Sequence, residues 1–162
     1  MRKTLVPFTA GALAVGLTAA AAAAGPDAKG SQSEGARIIE LTQTACQFVE
    51  SENGVDHGFA TQSKADCEAI NAEGGDERLA EAKVLELKPG KYVFRVTNED
   101  VPYELGFWLR GEGLARFVKN SVSGGGLTAG ATLDYEIELT EGDYLYSCPL
   151  NPTPDYRIVV KS

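Results

Sequence analysis

From Val84 onward apolar and polar side chains alternate along the chain. Tyr92, Phe94 and Val96 fall on one face and Lys91, Arg95 and Thr97 on the other, the period of two that a half-buried strand imposes. Leu133, Tyr135, Ile137 and Leu139 repeat it against Asp134, Glu136 and Glu138. Turn residues part these runs: Lys88-Pro89-Gly90 follows Val84-Leu85-Glu86-Leu87, and Glu141-Gly142-Asp143 leads into Tyr144 to Cys148. Tyr156, Ile158 and Val160 give a last strand, and Ile38, Ile39, Leu41 and Phe48, spaced by Thr and Gln between Arg37 and Val49, a first. Short strands separated by turns predict an all-β sandwich or barrel rather than a helix-alternating fold.

Two stretches depart from this rhythm. Between about residues 50 and 82, Ser63-Lys64-Ala65-Asp66 resembles a capping box and Cys67 and Ile70 share a helical face. After Gly74-Gly75, Asp76-Glu77-Arg78-Leu79 suggests a second short helix. The segment is thus expected to be a partly helical insertion after the first strand. At the N-terminus, Arg2 and Lys3 precede an alanine-rich apolar run from Leu5 to about Ala21, and Ala22-Ala23-Ala24 before Gly25 offers a small-residue cleavage site. Residues 1–24 therefore read as a signal peptide, with Pro7, Gly11 and Gly16 favouring that over a membrane anchor. Residues 25–35 carry almost no apolar side chains and read as a flexible tail, which leaves 36–162 for one domain, periplasmic or secreted.

Charge narrows the partners. The chain carries −8, and loss of residues 1–24 removes two of the 15 basic and none of the 23 acidic residues, leaving about −10. Such a surface repels nucleic acid and anionic lipid and favours cations or basic partners, although scattered charges of this kind also serve solubility alone. No nucleic acid is expected as a partner, and no membrane insertion after cleavage.

The chemistry concentrates at the C-terminus, Tyr144-Leu-Tyr-Ser-Cys148-Pro-Leu-Asn151-Pro-Thr-Pro154-Asp-Tyr156. This hairpin resembles the copper loop of cupredoxins, in which Cys-x-x-His-x-x-Met supplies three ligands of a blue-copper site. Cys148 is retained, Asn151 stands in the His place and Pro154 in the Met place. Upstream, the strand ending in Val96-Thr97-Asn98 leads to Pro102-Tyr103-Glu104, with Tyr103 where the family's first histidine follows a proline. The resemblance spans Val84 to Lys161 and implies a Greek-key cupredoxin-like β-sandwich with the insertion after its first strand. A blue-copper centre needs two imidazoles and a thiolate, and the chain holds one histidine. A type 1 copper centre, and electron transfer through it, is excluded by that count.

Cys46 near the end of the first strand, Glu104 and Cys148 also match three features of the cupredoxin-like domain of EfeO-type periplasmic iron-uptake proteins. That resemblance implies a thiolate and carboxylate site for copper or iron. Cys148 and Glu104 would be its ligands, with Cys46 or His57 as additions. Three cysteines in an oxidising compartment allow one disulfide and one leftover thiol. Cys46 with Cys67 closes a loop of about 20 residues across the insertion, worth roughly 3 kcal/mol in the chain-entropy model, and is the favoured pair. Cys46 with Cys148 is the rival, and it would abolish a thiolate site. Cys148 itself reads equally as a ligand or as a small buried hydrophobe.

The remaining candidates carry plain readings beside the functional ones. His57 in Asp56-His57-Gly58 is either a ligand or a solvated loop residue, and Glu50, Glu52 and Asp56 read as a solvated run. Phe107 and Leu109 suit the core and leave Trp108 on the opposite face as a partner contact. Gly124-Gly125-Gly126 lacks the Lys-Ser/Thr and following helix of a phosphate loop and reads as a flexible connection. No nucleophile and base pair suggests an enzyme. Two functions follow: a periplasmic metal-handling protein that binds copper or iron through Cys148 and Glu104, or a metal-free interaction module. In the second, a loop end stiffened by Pro149, Pro152 and Pro154 presents Tyr103, Trp108 and Asn151 to a protein.

Overall fold

The structure, a computed structural model, describes residues 35–162. The leader expected over 1–24 and nearly all of the tail expected over 25–35 lie outside them. In chain order the strands are β1 (Arg37–Thr44), β2 (Gln47–Phe48), β3 (Leu85–Leu87), β4 (Gly90–Asn98), β5 (Leu105–Gly111), β6 (Val122–Leu127), β7 (Thr132–Leu139), β8 (Gly142–Ser147) and β9 (Tyr156–Val160). A helix, α1 (Lys64–Glu81), lies between β2 and β3. One sheet runs β2-β1-β4-β7 and the other β3-β9-β8-β5-β6. Strand β1 pairs parallel with β4, β3 parallel with β9, and the other pairings are antiparallel. The chain passes repeatedly from one sheet to the other, giving the sandwich that the alternation predicted, with the Greek-key form and helical insertion that the resemblance implied.

Inward side chains of both sheets meet in one core. Leu41, Phe94 and Val96 from the first sheet face Leu105, Phe107, Leu109, Tyr146 and Ile158 from the second, all buried. Aromatic rings dominate: Phe107 packs on Phe94 with centroids 5.6 Å apart and on Tyr135 at 5.0 Å, and Phe48 meets Tyr146 edge-on at 5.5 Å. Each buried tyrosine places its hydroxyl on a partner, as burial of a polar tip requires. Tyr146 meets Ser51 Oγ at 2.6 Å, Tyr92 donates to Lys88 O at 2.8 Å, and Tyr156 donates to Glu52.

The insertion differs from the two short helices expected. A single helix of 18 residues runs straight through Gly74-Gly75. Each glycine costs roughly 1 kcal/mol against alanine in a helix, and tertiary ties at both ends outweigh that cost. At the start, Asp66 Oδ2 accepts from the N–H groups of Gln62 (2.8 Å) and Ser63 (2.9 Å), and these bonds hold the carboxyl below its ordinary range. One turn on, Cys67 is joined to Cys46 in a disulfide. Near the end, Arg78 reaches back to Glu52, to Cys46 O (3.0 Å) and to Asn71 Oδ1 (2.9 Å). The favoured pairing, Cys46 with Cys67, is therefore the one formed, and Cys148 is the free thiol. Cys46 is thereby removed from the set of thiolate ligands available in the oxidised protein. Among the described residues no helix is long and apolar enough to cross a membrane.

Candidate functional site

Strand β8 carries the chain to Cys148 at one end of the sandwich, where a tight loop returns it to β9. The loop is organised from within. Thr153 Oγ1 accepts from Cys148 N (3.1 Å) and donates to Pro154 O (3.0 Å), so the loop closes on itself. Cys148 Sγ accepts from Asn151 N (3.2 Å) in the same loop and from Gly106 N (3.3 Å) across on β5. The residue is buried, and burial pushes its thiol upward, with the N–H bonds of Gly106, Asn151 and Leu150 acting the other way.

Asn151, expected on display to a partner, is wholly buried instead. Its Oδ1 accepts from Cys46 N at 3.0 Å and from the Tyr103 hydroxyl at 3.1 Å, while Nδ2 donates to Thr44 O at 2.9 Å. Cys67 Sγ lies 3.0 Å from the same oxygen; a disulfide sulfur has no hydrogen to give, so this is a packing contact. The amide side chain thus staples the β8–β9 hairpin to the turn between β1 and β2. Tyr103 also turns inward, its hydroxyl 3.1 Å from Thr61 Oγ1, and burial raises its pKa. Tyr103, Cys148 and Asn151 therefore converge as the sequence implied, but their polar atoms are spent on one another and on the backbone.

Glu104 and His57 go elsewhere. The Glu104 carboxylate is exposed and accepts from Gly126 N at 2.8 Å. His57 Nε2 lies 2.7 Å from Glu52 Oε2 and its ring stacks on Phe59. Glu52, read from the sequence as part of a solvated run, is buried. Arg78 grips both its oxygens, Nε to Oε2 at 2.9 Å and Nη2 to Oε1 at 2.7 Å, and Tyr156 donates to Oε1. Nothing in the local sequence marked this cluster, because Arg78 and Tyr156 lie 26 and 104 residues away. Among the described residues no three of His, Cys, Asp and Glu come together as a metal would require. The donor set does not fit a type 1 copper centre, and toward a thiolate and carboxylate site it offers one buried thiol with Glu104 turned to Gly126.

What the loop end leaves open is a groove of about 370 Å³ on the outer face of β5 and β6. Trp108 and Leu150 form its walls and are 38% and 41% exposed. Gly106, Gly124 and Gly125 line its floor. Gly106 is required by contact, since a Cβ there would sit 2.6 Å from Gly124 O; a Cβ at Gly124 would press on the Tyr135 ring at 3.0 Å, and one at Gly125 would displace the movable end of Glu104 at 2.8 Å. The glycine run expected to be a flexible connection is thus part of β6 and the bottom of a groove. Trp108 is steadied by Arg110, whose guanidinium lies 4.0 Å from the indole centroid and is itself paired with Asp155 at 2.7 Å.

No family model matches the chain, and no curated protein sequence matches it. Among solved structures it is similar to auracyanin B, at 13% identity over 78% of this chain and 90% of that one, with a TM-score of 0.48. It is also similar to reduced rusticyanin, at 16% identity over 77% of this chain and 80% of that one, with a TM-score of 0.41. A multi-copper oxidase from Pediococcus acidilactici matches at 10% identity over 80% of this chain and 27% of that one, with a TM-score of 0.39. These are distant likenesses of form.

Proposed function

We propose that this protein is an extracytoplasmic, cupredoxin-like binding module that takes a protein partner in the Trp108–Leu150 groove and is neither an electron carrier nor an enzyme. One observation carries the reading. At the end of the sandwich where the cupredoxin resemblance places a metal, the polar side chains are closed on one another, while beside them two large apolar side chains stand over a floor of glycine. Exposed apolar walls around a bare backbone suit a ligand that brings its own side chain to fill them. Arg110 against Trp108, and the Asn151 staple on the loop that carries Leu150, hold the walls in place before binding, so little ordering remains to oppose association.

A photo-crosslinker placed at Ser123 in the full chain, in cells that make it, should trap a discrete partner. Trp108→Ser and Leu150→Ser should abolish the adduct, and Lys91→Ala on the far sheet should leave it. The rival function, handling of copper or iron by Cys148 with Glu104, predicts instead stoichiometric uptake of Cu(I) or iron that Cys148→Ser removes. Uptake lost in that variant, together with an adduct indifferent to Trp108→Ser, would displace the binding module in favour of the metal reading.

A further inference from the structure

We infer that the partner enters as an extended, basic peptide strand that pairs with the open edge of β6, laying one apolar side chain between Trp108 and Leu150. The inference rests on the groove being the binding surface and names what fills it. Strand β6 ends its sheet, with β5 as its ladder neighbour. Phe107 is opposite Gly124 in the register, and the Gly124 carbonyl oxygen lies so near Gly106 that a Cβ there would be 2.6 Å from it. Gly124 therefore turns its carbonyl toward β5. In an antiparallel ladder a residue's N–H and C=O point to the same side and those of its neighbours to the other. Ser123, and Gly125 at the start of the bulge, accordingly turn theirs to the open edge.

Among the described residues no loop hydrogen bond takes up the backbone groups of Ser123 or Gly125. The bulge between Leu105 and Phe107 breaks the register beside Gly126, whose N–H is met by the carboxylate of Glu104, the residue before β5, so the open positions of the edge are those of Ser123 and Gly125. Sheets guard an open edge with lysine, proline, inward charge or a bulge; Val122-Ser-Gly-Gly-Gly-Leu127 has the bulge near its end and none of the other three. Glycine also presents no side chain to an incoming backbone, and main-chain pairing with pockets for alternate side chains is how strand addition gains affinity and specificity. Exposed Glu104 at the rim, on a chain of net charge −8, selects a cationic peptide over an acidic one.

Random peptides displayed on phage and selected on the full chain should converge on alternating apolar and basic residues, and the same selection on Trp108→Ser should not. The peptide recovered, made synthetically, should change the emission of Trp108, the chain's one tryptophan. N-methylation of alternate amides on one side of that peptide should weaken binding roughly tenfold or more, and methylation on the other side should not. Ser123→Pro removes an outward N–H at a position where an edge strand tolerates proline, so it should weaken binding to a like degree with the fold retained by circular dichroism. If selected peptides need Trp108 yet tolerate methylation on both sides and Ser123→Pro, strand addition is overturned while the groove stands. If nothing is enriched over Trp108→Ser, both fall. A concentration-dependent dimer that Ser123→Pro abolishes makes a second copy the occupant and overturns the peptide assignment.

Discussion

The helix is fastened to the sandwich at two places, by opposite chemistry. Toward its N-terminal end the tie is neutral: the Cys46–Cys67 disulfide, the Asn151 amide shared with Cys46 N and Tyr103, and Asn71 Nδ2 donating to Pro152 O at 2.6 Å. Toward its C-terminal end the tie is ionic, with Arg78 gripping buried Glu52 and with His57 and Tyr156 on the same carboxylate. A neutral staple keeps its strength across pH and salt, whereas a buried ion pair stands only while both charges are present. The neutral tie is the one beside the groove. That arrangement keeps the loop beside the groove in place under conditions that loosen the other end.

The largest effect is expected at the ionic tie. Arg78→Ala strands the Glu52 carboxylate in a buried position, and a pair broken on one side costs about 3–5 kcal/mol. The neutral double variant Glu52→Gln/Arg78→Met should recover most of this loss in urea melts, because no charge is then left unpaired. Acid should act through the same residue. Desolvation pushes the Glu52 carboxyl up, but hydrogen bonds from Arg78, Tyr156 and His57 with the Arg78 charge outweigh it, and its pKa is lowered in the fold. A depressed carboxyl stabilises the fold above its unfolded value, about 4.3, and that contribution is lost as pH falls through the lower folded value. Stability should therefore drop from about pH 5 downward, and Glu52→Gln should flatten the drop. An unchanged acid limb in Glu52→Gln would mean that other carboxylates govern it.

Removing the disulfide by Cys46→Ser with Cys67→Ser should cost roughly 3 kcal/mol, set by loop closure over a separation of 21 residues. This variant sharpens the comparison, since Arg78 Nη2 also donates to Cys46 O at 3.0 Å. The two ties thus share Cys46, and groups that share a partner do not add independently. A double-mutant cycle between Arg78→Ala and the disulfide removal should show a coupling on the order of 0.5–3 kcal/mol. Strict additivity would show the ties to be independent.

The strands were legible because each exposes one face and buries the other, and that alternation is written locally: Tyr92, Phe94 and Val96 needed no distant partner to be read. The disulfide was legible from spacing. What escaped depended on contacts far along the chain. Gly74-Gly75 reads as a break, yet Cys67 and Arg78 carry the helix through it by bonds to Cys46 and Glu52. Glu52 sits among acidic neighbours and looks solvated, and only the fold brings Arg78 and Tyr156 onto it. The hairpin resemblance put Asn151 in the place of a histidine ligand and Tyr103 in that of another, but the Asn151 side chain serves the interior because Cys46 N and Thr44 O meet it there. The groove was half visible: Trp108 was expected outward, whereas its glycine floor was hidden because a glycine run states only that side chains are missing, not what takes their place.

The smallest expected effect tests the neutral tie directly. Asn151→Ala leaves the N–H of Cys46, the hydroxyl of Tyr103 and the carbonyl of Thr44 without their partner. An unsatisfied buried group costs about 1–3 kcal/mol; Tyr103 can still turn to Thr61, so the total should stay near the top of that range rather than triple it. Asn151→Asp distinguishes the two chemistries, because it keeps an acceptor for Cys46 and Tyr103 but loses the donor to Thr44 and buries a charge with no cation against it. It should be worse than alanine at neutral pH and improve as acid protonates the new carboxyl, the reverse of the trend at Glu52. Hydrogen exchange at the Cys46 amide reads the staple itself: protection should fall in both variants, with that of strand β4 unchanged. Equal protection of Cys46 in wild type and Asn151→Ala would show that the disulfide alone holds this end, and the rigidity of the groove would then have to come from Pro149 and the loop's own Thr153 bonds.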